Sequence, residues 1–255
     1  MRPSRYVQRR RAMQVSEILT LEQVTLASGT ALSMDLPEAS ARQFCGRSQE
    51  LAQIREAFEI ERTHGRHQRI VCLFGLGGVG KTQLALRYLQ ENRHLYKAVF
   101  WINSSSERQI LDRFRQMAQS LIDWTAQHHG ADVNFRRIAL DFGLSQVVSP
   151  TTGEIAPASN EKIVVNAVHS WLGREGNSGW IMVFDNADDL DGVDLSSYLP
   201  NTATGDVLLT SRRPEIGQMG LGIEVKCLGP SDARGALMNY AQMDLADASE
   251  WELAA

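Results

Sequence analysis

The sequence predicts a three-layer α/β fold, a five-stranded and mainly parallel sheet with helices on both faces. Three observations predict it. Short β-rich apolar runs alternate with amphipathic helical stretches, which is the order of βαβ units. One such run, Ile70-Val71-Cys72-Leu73-Phe74, feeds directly into Gly75-Leu76-Gly77-Gly78-Val79-Gly80-Lys81-Thr82, a fit to G-x-x-x-x-G-K-[ST]. Another, Trp180-Ile181-Met182-Val183-Phe184-Asp185, is continuously apolar and ends in an acid, as a central parallel strand does at its C-terminal edge.

The glycine-rich stretch is read as a phosphate-binding loop of the P-loop NTPase fold. Its glycines let the backbone take positive φ and approach an anion, so the N–H groups from Gly78 to Thr82 can turn toward a β-phosphate. Lys81 adds a point charge for the β and γ phosphates, and the Thr82 hydroxyl is placed to ligate Mg²⁺. A helix starting at Gly80 or Lys81 turns its positive dipole end to the same place. Gly75, Gly77, Gly78, Val79, Gly80, Lys81, Thr82 and Gln83 are therefore the candidate nucleotide-binding residues.

Composition narrows the rest. At 255 residues and 43% hydrophobic, the chain has room for one sizeable α/β domain with flanking material, or for two small ones. A net charge of −4 gives no general attraction to nucleic acid. Cys45, Cys72 and Cys227 have neither metal spacing nor the count of a disulfide framework, and read as reduced core residues of a cytoplasmic protein. No apolar run reaches the length of a membrane span. Arg2, Arg5, Arg9, Arg10 and Arg11 precede the first acid, Glu17, which suits a mitochondrial presequence, a disordered basic tail or the remnant of an upstream region. The expected organisation is a basic tail and linker over 1–40, a nucleotide-binding domain over 41–245 and the start of a further region over 246–255.

In chain order, Ser28 to Arg42 is small, polar and broken by Pro37, a linker. Leu51, Ile54 and Phe58 recur at helical spacing after Phe44-Cys45-Gly46-Arg47, with Ser48 as N-cap. Arg62, His64, Arg66, His67 and Arg69 form a basic, exposed lead into the first strand, and the two histidines suit a solvated loop better than a metal site. Leu84, Tyr88 and Leu89 give the helix after the loop an inward face. A strand over Ala98–Ile102 precedes the best amphipathic helix, with Ile110, Phe114, Met117 and Leu121 in one row.

Residues 124–160 are broken by glycines and prolines and read as an insertion over one edge of the sheet; Phe135, Ile138, Leu140 and Phe142 make one helical piece of it. Ile163 to Leu172 is helical and halted by Gly173. The Asp185 strand comes next, and behind a phosphate loop its carboxylate is a candidate Mg²⁺ ligand opposite Thr82. A fourth strand, Asp206–Thr210, leads to Ser211-Arg212-Arg213 and brings an arginine to the phosphate edge, where it is equally readable as a γ-phosphate sensor or a loop residue. Ile223 to Leu228 reads as a fifth strand, and Ser231 as the cap of a last helix through Tyr240.

Four matches resemble the NB-ARC class of STAND signal-transduction ATPases, particularly fungal NLR-like forms. They are Phe44-Cys45-Gly46-Arg47, the loop Gly75 to Thr82, Trp180 to Asp189 reading W-I-M-V-F-D-N-A-D-D, and Thr210-Ser211-Arg212. The resemblance implies that Arg47 lies beside the adenine, that Asp185 holds Mg²⁺ and that Arg212 is the sensor arginine. It implies a switch that rests with ADP, exchanges it for ATP and self-associates, hydrolysing slowly. Lys81, Asp185 and Arg212 are then the candidate catalytic residues. Many plant relatives carry a second acid directly after the Mg²⁺ aspartate; here that position is Asn186, whose amide cannot take a proton, so Asp188 or Asp189 substitutes or turnover is very slow. The family's GLPL helix, winged helix and MHD histidine belong beyond Tyr240, so the chain is expected to be part of a larger receptor. Two other classes compete: an AAA-type ATPase with steady turnover, and a P-loop phosphotransferase whose acceptor site the insertion would have to supply.

Overall fold

The computed structural model describes residues 32–34, 44–64, 69–129, 133–156 and 160–241. The basic tail, most of the linker, residue 67 and the region after 241 lie outside them, as do the side chains of His64, His128 and His129. Among the described residues the strands are β1 (Leu32–Met34), β2 (Arg69–Phe74), β3 (Ala98–Asn103), β4 (Trp180–Asp185), β5 (Asp206–Ser211) and β6 (Leu221–Glu224). They form one sheet in the order β1-β3-β4-β5-β2-β6, with every pair parallel. The helices are α1 (Ser48–His64), α2 (Lys81–Asn92), α3 (Glu107–His129), α4 (Phe135–Asp141), α5 (Glu161–Leu172) and α6 (Pro230–Ala241). The five expected strands are all present in this P-loop NTPase α/β fold. The short β1, inside the segment read as linker, extends the sheet by pairing with β3.

Both faces of the sheet are covered, which is why the central strands are apolar throughout instead of alternating with polar residues. In β4, Ile181 and Val183 join Leu84, Tyr88 and Leu89 of α2 and Leu51, Ile54 and Phe58 of α1 in one core. Trp180, Met182 and Phe184, pointing the other way at period two, join Ile110, Phe114 and Met117 of α3 and Val164, Val168 and Trp171 of α5 in the second. Among the described residues no helix is long and apolar enough to cross a membrane.

Several local expectations are corrected. Residues 124–129 are the last turns of α3, so the stretch read as an insertion begins only after a helix that covers the sheet. The chain between α3 and α5 is itself packed: Ile138, Phe142, Leu144, Val147, Val148 and Ile155 are buried against the α3 core, while Leu140 is exposed. Arg47 supplies the carbonyl that accepts the first helical bond of α1, from the Leu51 amide, and Ser48 is already inside the helix. Likewise Gly229, not Ser231, supplies the carbonyl at the start of α6, accepting from the Ala233 amide. The fifth strand starts two residues before the expected Ile223 and ends at Glu224, because its partner β2 ends at Phe74; the Val225 amide makes the last bond to β2, donating to the Phe74 carbonyl at 2.7 Å. Of the cysteines only Cys72 is buried; Cys45 is half-buried and Cys227 exposed.

Arg69 is also not a free basic residue. β2 and β5 are in register at Arg69 and Asp206, at the sheet edge away from the glycine loop, and the guanidinium pairs with the fully buried Asp206 carboxylate. Tyr96 donates to the other Asp206 oxygen at 2.7 Å, and the Tyr88 and Tyr96 hydroxyls are 2.9 Å apart. Burial, followed by the neighbouring Asp206 and Tyr88, holds the Tyr96 phenol far above its ordinary range, so it stays a donor.

Removing one partner of such a network strands the others in a dry place. Asp206→Ala is expected to cost about 3–5 kcal/mol, and Tyr88→Phe about 1 kcal/mol, in urea unfolding followed by circular dichroism. A loss below about 1 kcal/mol for Asp206→Ala would show that the network does not hold this edge of the sheet.

Candidate functional site

Strands β2, β4 and β5 end together at the C-terminal edge of the sheet, and the loop after β2 turns across that edge into α2. Gly75 makes the turn possible. Its φ is 152°, and a Cβ there would lie 2.3 Å from the Val225 carbonyl oxygen, so no side chain fits between the loop and the end of β6. Gly80, at φ 98°, occupies the N-cap of α2 and accepts from the Leu84 amide at 2.8 Å. Leu76, Gly77 and Gly78 are exposed on the loop's outer arc, and Gln83 sits half-buried in the first turn of α2.

Lys81 is buried and folds back on its own loop, Nζ donating to the Gly75 and Leu76 carbonyls at 2.9 Å each. Burial lowers the pKa of its ammonium group; Asp188 and Asp185 raise it, and Arg212 lowers it. The next residue reaches the Asp185 strand, the Thr82 hydroxyl donating to Asp185 Oδ1 at 2.8 Å. A second hydroxyl shares that oxygen: buried Thr210, on β5, donates to it at 2.6 Å and accepts from the Asn186 amide at 3.0 Å. Asp185 Oδ2 has Asn186 Nδ2 at 3.4 Å.

These donors fit Mg²⁺. They are hard oxygens, and adjacent ligands of an octahedron with bonds of about 2.0–2.1 Å stand roughly 2.9 Å apart, close to the Thr82–Asp185 separation. Thr82 and Asp185 would hold the ion, either directly or through water, and Lys81 with the start of α2 would hold phosphate oxygens.

Arg212 comes directly after β5 at the rim of the loop, where its Cδ would lie 3.5 Å from a Cβ built on Gly77. Asp188 holds it there. One carboxylate oxygen accepts from the Arg212 amide at 2.6 Å and from the Ser211 hydroxyl at 3.1 Å, and the other accepts from Arg212 Nε at 2.6 Å. Burial pushes the Asp188 carboxyl up, but these bonds and the guanidinium charge outweigh it and hold the group below the usual carboxylate range. Asp189 Oδ1 accepts from the Gly192 amide at 2.9 Å and closes a turn.

On the other side of the loop, Gly46 and Arg47 both have left-handed backbones, at φ 69° and 64°. The buried Arg47 guanidinium donates to the Val79 carbonyl at 2.8 Å and pairs with Glu50 at 2.7 Å, tying the start of α1 to the phosphate loop. Beside it lies a cleft of about 760 Å³ lined by Gly46, Gln53, Glu56, Ile223, Cys227 and Asp232 among others, large enough for a nucleoside. A smaller polar cleft of about 480 Å³ adjoins Asp185 on the β3 side, lined by Asn103, Gln109, Arg113 and Gln116.

The fold thus gathers Lys81, Thr82, Asp185 and Arg212 at one edge, and Arg47 reaches them through Val79. Sequence reasoning missed Thr210 as the partner of Asp185 and Asp188 as the partner of Arg212. A hydroxyl near the end of a strand was the only available signal for Thr210, and it acquires meaning only once β4 and β5 are known to be neighbours.

A protein-family model described as AAA ATPase domain matches residues 43–208, from just before Arg47 to within β5. A nucleotide-binding leucine-rich repeat (NLR)-like protein from Hyaloscypha variabilis is 26% identical over 208 residues, which are 74% of this chain and 18% of that protein. The chain therefore spans less than a fifth of that relative's length. Among solved structures, Cdc6p from Pyrobaculum aerophilum aligns at 14% identity and TM-score 0.47, over 85% of this chain and 52% of its own. The ORC2 protein of Aeropyrum pernix, in ADPNP–ADP complexes, aligns at 13% and 0.42, over 86% and 55%.

Thr210→Val preserves volume but removes the donor to Asp185 and the acceptor of the Asn186 amide. The expected cost is about 1–3 kcal/mol of stability, with faster hydrogen exchange at Asn186. Unchanged exchange at that amide would show that the hydroxyl does not hold the end of β4.

Proposed function

The chain belongs to the AAA ATPase domain family, and from that premise we propose that it is the ATP/ADP-binding switch module of an NLR-like signalling protein, of the NB-ARC type. In this reading the 760 Å³ cleft takes the adenosine, the loop from Gly75 to Thr82 and Lys81 take the phosphates, and Thr82 and Asp185 take Mg²⁺. Arg212 meets the γ-phosphate and so distinguishes ATP from ADP. The phosphate and the ion favour one arrangement of the larger protein over another, and self-association is the result.

One observation carries the preference for a switch over a motor: the acids after Asp185 are already committed. Asn186 cannot accept a proton, Asp188 accepts three hydrogen bonds from Arg212 and Ser211, and Asp189 closes its own turn through Oδ1. A site built to retain its nucleotide and turn it over slowly has this character. The NLR-like description of the relative supports the same reading. Family membership favours a second reading, an AAA-type ATPase with steady turnover. The polar cleft beside Asp185 is where a phosphotransferase would seat an acceptor.

The readings separate in solution. The switch is expected to copurify with ADP and to hydrolyse ATP far below one turnover per second, whereas steady turnover of about 1–100 per second establishes the enzyme reading. Lys81→Ala is expected to abolish nucleotide retention, and an unchanged affinity would overturn the phosphate-loop assignment. Asp185→Ala is expected to remove the Mg²⁺-dependent part of binding; equal losses with Mg²⁺ and with EDTA would make Asp185 purely structural. Bound ADP is expected to slow alkylation of the exposed Cys227 in the cleft, while Cys72, its thiol pushed up to about 12 by burial, stays inert throughout.

A further inference from the structure

Asp188 is an obvious candidate for the missing base, being the first acid after Asn186, yet its surroundings argue for another role. Its two oxygens accept three hydrogen bonds, and two of the three come from a single residue, Arg212. A carboxylate that must take a proton from water needs a free lone pair directed at that water. Asp188 instead grips Arg212 at the backbone amide and at Nε, which fixes both the chain and the plane of the guanidinium.

The grip leaves the working end of the arginine open. The Arg212 side chain is 65% exposed, and among the described residues Nη1 and Nη2 have no hydrogen-bond partner. The guanidinium stands beside the loop at Gly77 and is close enough to Lys81 to act on its charge. An arginine side chain free to turn at this rim would spend most of its time in other rotamers. Held through Nε, it presents two parallel N–H donors in one direction, the geometry that matches two oxygens of a phosphate.

We propose that Asp188 is the positioning residue for Arg212: it aims the two terminal nitrogens at the γ-phosphate and thereby sets the preference for ATP over ADP. The proposal rests on the reading of Arg212 as the group that meets the γ-phosphate. It assigns Asp188 to recognition and not to water activation.

The test is calorimetric titration of the full chain with Mg²⁺ and either β,γ-imido-ATP or ADP, for the wild type, Arg212→Ala, Asp188→Ala, Asp188→Asn and the double alanine variant. Asp188→Ala is expected to weaken β,γ-imido-ATP binding about tenfold, the loss of one charge-assisted contact, and to leave ADP affinity within about twofold. Asp188→Asn keeps an acceptor for the Arg212 amide and is expected to lose less, about threefold. The double variant is expected to be no worse than Arg212→Ala alone, because Asp188 acts only through Arg212.

The proposal is overturned if Asp188→Ala and Asp188→Asn keep the wild-type preference while ATP hydrolysis falls, since Asp188 would then act on water. Equal loss of both nucleotides in both variants also overturns it, making Asp188 a purely structural residue. If Arg212→Ala itself leaves the preference unchanged, the sensor reading of Arg212 fails, a result distinct from a normal Arg212→Ala effect with inert Asp188 variants.

Discussion

Asp185 Oδ1 accepts two hydroxyl hydrogen bonds at once, from Thr82 on α2 and Thr210 on β5, and this shared oxygen ties together the three elements that form the loop edge of the sheet. It is placed at the end of a strand whose six residues are all buried, so its position is set by packing on both faces of the sheet. Neither hydroxyl lies near it in sequence. Their convergence depends on the parallel register of β4 with β5 and of β5 with β2, which brings the loop after β2 within reach of the end of β4. A slip of one residue in either register would turn Thr210 or Asp185 to the other face and take the oxygen away from both donors.

The two edges of the sheet divide the work. At the start of β2 and β5, Arg69, Asp206, Tyr96 and Tyr88 form a closed polar network in which the buried carboxylate has all its partners from the protein. At the other edge, Lys81, Thr82, Asp185 and Arg212 have partners too: Lys81 donates to loop carbonyls, Thr82 and Thr210 to Asp185, and Arg212 to Asp188. In the proposed reading Lys81 would exchange those carbonyls for phosphate oxygens, and Thr82 would exchange the carboxylate for a cation. The first edge joins β2 to β5 at the start of their shared register.

Arg47 joins the loop to the start of α1. Its guanidinium lies between Glu50, which lines the nucleoside-sized cleft, and the Val79 carbonyl of the loop, so the cleft and the loop meet at one side chain. The left-handed backbone at Arg47 is uncommon for a residue with a Cβ, and its side chain reaches both the loop at Val79 and Glu50 of α1. Arg212, on the opposite rim, is held by Asp188. The loop is therefore flanked by two arginines, one buried and bonded to its Val79 carbonyl, the other exposed and held by Asp188.

The amino-acid sequence by itself determined the layered architecture, because apolar runs that are continuous and not alternating can be satisfied only by a sheet covered on both faces. It also determined the loop, since the constraints from Gly75 to Thr82 are local to one turn of chain and need no distant partner. The helical faces of α1, α2 and α3 were legible for the same reason. Position was less legible where the local pattern was ambiguous: β6 starts two residues before its apolar run and stops at Glu224, and residues 124–129 belong to α3, because both are decided by contacts made across the sheet and the helical layer. Thr210 with Asp185, Asp188 with Arg212, and Arg69 with Asp206 were decided only by tertiary structure. Each pair joins residues on different elements, and strand order, which carries no local sequence signal, is what brings them within hydrogen-bonding distance.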